Sequence, residues 1–227
     1  VVRKNANNQQ NNSLTSRNAE NLFWVGRLFE RTMALTSFLR IVLDRLNENV
    51  NDKGKKQQEY LVVLFKSITH LTWTYPGFTN EEDDSILENP EPELFSLIND
   101  TKKVGSVAYN IQSFLRTSNQ VSDKWNVETR RILNLIEDNL QSLRDSHSIN
   151  QVNHRLDRLY TRLFAFYGNI FETLPRDSGF YLLEAGKNIE RILSLVSVLR
   201  SSFSFKNNDE VETVLMEAVL ENHHLLA

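Results

Sequence analysis

Apolar residues recur three and four positions apart through most of the chain, the spacing of a buried helical stripe. Over 16–47, Val25, Leu28, Leu35, Leu39, Val42 and Leu46 make such a stripe. Leu22, Phe29 and Met33 lie well off it, and Phe23, Trp24, Ala34 and Phe38 cover other directions. A helix apolar on several sides belongs at the centre of a bundle. The same spacing predicts helices over about 56–73, 93–99, 106–117, 122–145, 150–173, 178–202 and 209–224, and no strand. Residues 74–92 carry three of the four prolines and the acidic run Glu81–Asp84, and read as the longest loop. With only 7 Gly and 4 Pro to interrupt it, the chain is predicted to be an all-α, multi-helix bundle.

Two of the long helices repeat one another. At a constant offset of 160, Leu22, Gly26, Glu30, Arg31, Leu35, Ser37, Leu39 and Arg40 recur as Leu182, Gly186, Glu190, Arg191, Leu195, Ser197, Leu199 and Arg200. Arg27/Lys187 and Phe29/Ile189 are conservative replacements. A duplicated Gly-x-x-Φ-Glu-Arg motif (Φ apolar) predicts two central helices related by a pseudo-twofold. Glycine inside a helix costs about 1 kcal/mol relative to alanine, so its recurrence calls for a close helix crossing. Gly26 and Ala34 flank Glu30 on one face, as Gly186 and Ser194 flank Glu190. A carboxylate in such a crossing has to be paired. Neighbours on one helix point about 100° apart, so Glu30 cannot face Arg31. Reciprocal pairing between helices is predicted: Glu30 with Arg191, and Glu190 with Arg31.

Composition narrows the chemistry. There is no Cys, which removes disulfides, thiolate nucleophiles and Cys-ligated metals. The net charge of −3 offers no footprint for nucleic acid. No apolar run approaches a membrane span of about 20 residues, and no secretory leader is evident. These features suggest a soluble, cytoplasmic protein without membrane or nucleic-acid partners. No phosphate loop occurs, and Gly186–Lys187 lies inside a helix whose amides are already bonded. Residues 1–13 are polar and Asn/Gln-rich, and are expected to be a disordered linker or tail. Because the chain opens on Val1, it reads as a domain cut from a longer polypeptide.

The polar candidates fall into two groups. Arg17, Glu20, Trp24, Arg27 and Arg31 share one side of the first long helix, either as an Arg-lined anion or carboxylate site or as an ion-pair network around Trp24. Gly168-x-x-Phe171-Glu172 repeats the Gly–Glu spacing without the Arg, and Glu172 precedes Arg176 by four residues. Asp177 or Ser178 suits a helix cap, while Arg176 is harder to explain by capping. Glu221-x-x-His224 has the spacing of di-metal bundles but lacks the second copy such sites require. No metal site is therefore expected, and His70 and His154 show no ligand spacing.

Two segments carry a family resemblance. SRNAENLFWVGRLFER (16–31) and GNIFETLPRDSGFYLLEAGKNIER (168–191) resemble the signatures of the bacterial alpha-E domain family. The matching positions in the second are Gly168, Glu172, Arg176, Asp177, Gly179, Phe180, Gly186, Glu190 and Arg191. The middle resembles the family loosely, through Arg116, Ser122 and Trp125. Lys187 departs from the family's usual Arg. The family's Tyr-rich stretch and Asn-Pro-Arg-Ser segment are missing after Ala227, so 14–227 reads as a C-terminally truncated alpha-E-like domain.

The resemblance implies an accessory role beside, or fused to, a circularly permuted ATP-grasp peptide ligase, often with transglutaminase-like peptidases. ATP and Mg would then bind on that companion, and this domain would carry no cofactor of its own. It would position a peptide substrate or dock the ligase, with Arg17, Glu20, Arg27, Arg31, Arg176 and Arg191 forming the polar site. The alternatives are an enzyme using Glu30, Glu190 or Glu172 as Arg-held acid/base groups, and, third, a di-metal helical protein.

Overall fold

The computed structural model describes residues 14–49, 55–80, 85–146, 148–203, 206 and 208–222. Among these residues the secondary structure is helical throughout. The helices are α1 (Ser16–Asn49), α2 (Lys55–Thr72), α3 (Ser85–Glu88), α4 (Glu91–Asn99), α5 (Val107–Asn119), α6 (Val127–Arg144), α7 (Ile149–Thr173), α8 (Ser178–Phe203) and α9 (Asp209–Asn222). Single 3-10 turns lie at Gly77–Thr79 and Ser122–Lys124. The all-α bundle read from the apolar spacing is the fold observed. The proposed disordered leader at 1–13 falls outside the described residues, as do Glu81–Asp84 and His224.

α1 is the axle of the bundle. It packs along α8 over the most extensive contact in the fold, with α5, α7 and α2 on its other sides and α9 near its C-terminal half. Accordingly Leu22, Val25, Phe29, Met33, Phe38 and Val42, which point in several directions, are all buried. The polar residues among them are satisfied locally. Thr32 and Thr36 donate to the carbonyls of Leu28 and Thr32, each at 2.7 Å. Phe29 is surrounded by rings from two helices, with Phe114 of α5 at 6.2 Å and Phe166 and Tyr167 of α7 at 5.7 Å.

Side-chain caps fix several helix starts. The Thr15 hydroxyl accepts from the Asn18 amide at 3.2 Å, Ser106 from Tyr109 at 3.0 Å, and Ser148 from Gln151 at 3.3 Å.

Two expectations need correction. The helix expected over 122–145 is broken: a 3-10 turn ends at Trp125, and α6 starts afresh behind Asn126, whose side chain accepts from the Thr129 amide at 2.7 Å. The cause is Trp125, which turns inward, is 3% exposed and donates its indole N–H to the Ser118 carbonyl at 2.9 Å. Nor is 74–92 a plain loop. Phe78 is buried against Phe65, with centroids 5.0 Å apart, and its amide donates to Thr69 Oγ1 at 2.9 Å. α3 and the start of α4 also fall inside the segment. Among the described residues no helix is long and apolar enough to cross a membrane.

Candidate functional site

The crossing of α1 and α8 is built from backbone. A Cβ placed on Gly26 would lie 2.0 Å from the carbonyl oxygen of Leu183, and one on Gly186 would lie 2.1 Å from that of Phe23. Each glycine therefore meets the residue three positions before the other. This reciprocity is the pseudo-twofold expected from the repeat, and the lost side chains are the space the two backbones occupy.

One turn further along, the crossing is locked by charge. Arg191 grips Glu30 through Nε at 2.7 Å and Nη2 at 3.3 Å. Arg31 grips Glu190 through Nε at 2.6 Å and Nη2 at 3.1 Å. Both reciprocal pairs read from the sequence are present. The carboxylates are 4% and 5% exposed, and both oxygens of each accept a charge-assisted bond. The bond to Glu30 raises the Arg191 pKa above its ordinary value, against the opposing effect of burial.

The two halves differ at one position. Arg27 adds a third contact to Glu190 through Nε. Its repeat counterpart, Lys187, does not reach for Glu30. Lys187 is buried, donates to the Tyr167 hydroxyl, sits 3.8 Å from that ring's centroid and pairs with Glu184 at 3.0 Å. Tyr167 and Glu184 thus belong to the network and were missed. They lie outside the repeat, and only the Arg-to-Lys replacement hinted that this side had been rewired.

The remaining candidates disperse. Arg17 and Glu20 are exposed near the start of α1 and do not join Arg27 and Arg31 on Glu190. Trp24 is 40% exposed, not a buried centre, and carries the Arg27 guanidinium 5.5 Å from its ring. Arg176 lies between the rings of Phe171 and Phe180, at 4.2 and 3.9 Å, and donates to the Phe171 carbonyl at 2.6 Å. Glu172 is exposed and does not meet Arg176. Asp177 is the cap of α8, accepting from the amides of Gly179 at 2.9 Å and Phe180 at 3.1 Å. The structure thus gathers Arg27, Glu30, Arg31, Lys187, Glu190 and Arg191 into one seam. It assigns Arg176 and Asp177 to the α7–α8 turn.

Both seam carboxylates are engaged, while the Arg31 and Arg191 side chains stay 37% and 50% exposed. Surface depressions along α9 and between α5 and α6 contain none of the seam's residues. Among the described residues no three His, Asp or Glu side chains converge as metal ligands.

A family model described as a predicted alpha-helical domain with a conserved ER motif matches residues 14–226. The chain belongs to the Alpha-E family. Its two Glu-Arg dipeptides, Glu30–Arg31 and Glu190–Arg191, are the residues that cross-pair α1 and α8 in this Alpha-E domain. Similar curated proteins are an uncharacterized protein of Mycobacterium bovis and uncharacterized proteins of two Mycobacterium tuberculosis strains, each 24% identical over 210 residues. The match covers 88% of this chain and 23% of each relative, so the chain spans about a quarter of their length. No solved structure matches.

Proposed function

We propose that this Alpha-E domain is an accessory helical module of an ATP-grasp-linked system that forms peptide or amide bonds. In this reading it positions the acceptor peptide or docks the ligase in the cytoplasm, while ATP and Mg bind on the ligase. The observation that carries the reading is the Glu–Arg seam, whose two carboxylates are buried and bonded through both oxygens. An acid/base catalyst needs a carboxyl group within reach of substrate. Glu30 and Glu190 are instead buried with both oxygens engaged, and the exposed Glu172 is not held by Arg176, which donates to the Phe171 carbonyl. The family resemblance at 16–31 and 168–191 supplies the link to the ligase. The curated relatives, of which this chain spans 23%, are long enough to hold such a module in the same polypeptide.

The test is reconstitution with the ATP-grasp protein encoded beside the domain or fused to it. ADP release in the presence of an acceptor peptide is measured with and without the domain. The expected result is turnover that rises when the domain is added and no reaction by the domain alone. Turnover by the isolated domain, lost in Glu190→Gln while folding is retained, would overturn the accessory reading in favour of acid/base chemistry.

A further inference from the structure

The repeat breaks at Arg27/Lys187, and the break unbalances the charge around the two seam carboxylates. Beside Glu30, Arg191 holds the carboxylate while Lys187 pairs with Glu184 at 3.0 Å, and Glu184 lies within electrostatic range of Arg191. Two cations there meet two carboxylates. Beside Glu190 the count differs, because Arg27 and Arg31 both pair with that one carboxylate. The Glu190 cluster therefore keeps one positive charge in surplus.

The surplus sits on groups already fixed in place. Arg27 bonds Glu190 through Nε, and Arg31 through Nε and Nη2. Among the described residues both Nη atoms of Arg27 and Nη1 of Arg31 have no hydrogen-bond partner. The Arg31 side chain is 37% exposed and that of Arg27 18%, whereas the Glu190 side chain that anchors them is 7% exposed. An anion arriving there finds two guanidiniums whose freedom has already been given up to Glu190. Trp24, one turn before Arg27, is 40% exposed and has the Arg27 guanidinium 5.5 Å from its ring.

These features define the ligand. One surplus charge suits a carboxylate better than a phosphate dianion, and the planar guanidinium fork suits its two oxygens. Trp24 precedes Arg31 by seven residues, about 10 Å along the helix axis. Three residues of extended peptide span about the same distance. A peptide carboxylate on Arg31 would thus bring the apolar side chain two residues earlier to the open indole.

We propose that Arg27 and Arg31, with Trp24 beside them, form a carboxylate-binding site for a short apolar peptide. The ligand class rests on the peptide-positioning reading above, whereas the site itself needs no ligase.

Calorimetric titration of the whole chain with N-acetyl-Leu-Ala-Ala, with its C-terminal amide and with amidated N-acetyl-Leu-Ala-Glu tests the site. The free acid is expected to bind one to one, and its amide about tenfold or more weaker. Binding of the Glu-containing amide also supports the site and makes an acidic side chain a source of the carboxylate. Arg31→Gln is expected to weaken binding about tenfold or more, and Trp24→Leu about threefold. Trp24 bonds no carboxylate of the seam, so its variant decides the matter if Arg31→Gln melts early. Arg131→Gln, on the exposed surface of α6, should leave binding unchanged. The site is refuted by no binding up to about 10 mM peptide, by equal binding of the acid and its amide, by tighter binding of inorganic phosphate, or by affinity indifferent to both Arg31→Gln and Trp24→Leu. In the ligase reconstitution, turnover raised with an acceptor that the domain does not bind would refute this inference alone. Peptide binding with no change in turnover would refute the accessory role alone.

Discussion

Gly26 stands against the Leu183 carbonyl as Gly186 stands against that of Phe23, so each glycine is filled by the other helix's backbone. Alanine normally stabilises a helix interior relative to glycine by about 1 kcal/mol. Here the sign reverses, because a methyl at 2.0 or 2.1 Å from a carbonyl oxygen must push main chain aside. Gly26→Ala and Gly186→Ala are each expected to destabilise by about 1–3 kcal/mol in urea unfolding. Gly168→Ala is the control. A Cβ there meets nothing within 4 Å, and the substitution should stabilise by about 0.5–1 kcal/mol.

The seam's charges are not interchangeable. Arg191 holds Glu30, whereas Glu190 holds both Arg27 and Arg31. Arg191→Ala therefore strands a buried carboxylate and is expected to destabilise by about 3–5 kcal/mol. Arg31→Ala leaves Arg27 on Glu190 and should cost clearly less. Chemical denaturation of the two variants side by side checks the order. Equal losses would mean that Arg27 does not support Glu190.

The α7–α8 turn depends on Arg176. Its guanidinium lies between Phe171 and Phe180 and holds the Phe171 carbonyl. Arg176→Ala should lower stability by about 1 kcal/mol, with the loss concentrated at the turn. Hydrogen exchange at the first amides of α8 provides the local readout. Arg176→Lys should restore part of the protection.

Acid should weaken the fold through His70. Burial, then the nearby Arg200 cation, holds its pKa below 6.5 in the folded chain. The unfolded chain therefore takes up the proton more readily. The stability contributed by neutral His70 is complete above pH 6.5 and is lost as pH falls through the lowered folded value. Compared with His70→Gln, the unmodified chain should lose more stability between about pH 7.5 and about pH 5. Parallel curves for the two proteins would exclude this contribution.

The central pairing could be read in advance because it rests on an arithmetic regularity. A fixed offset, a glycine with no local purpose and a Glu that cannot face its neighbouring Arg together specify a crossing and its partners. Arg27's hold on Glu190 was not legible, since its counterpart Lys187 turns to Tyr167 and Glu184. Helical spacing alone also ran 122–145 together. The break at Trp125 comes from a ring reaching the core and the Ser118 carbonyl, a tertiary contact without a local signal. The α8 residues Ile189, Ile192, Val196 and Leu199 read the same in sequence whether covered or bare, so their exposure became visible only in three dimensions.

Where two helices touch through carbonyl oxygens and α-carbons, their separation is set by peptide geometry, not by how side chains happen to fill a gap. Such a contact has no softer intermediate: either position holds glycine or the axes must part. Residues around it can therefore diverge widely in shape while this one dimension stays constant.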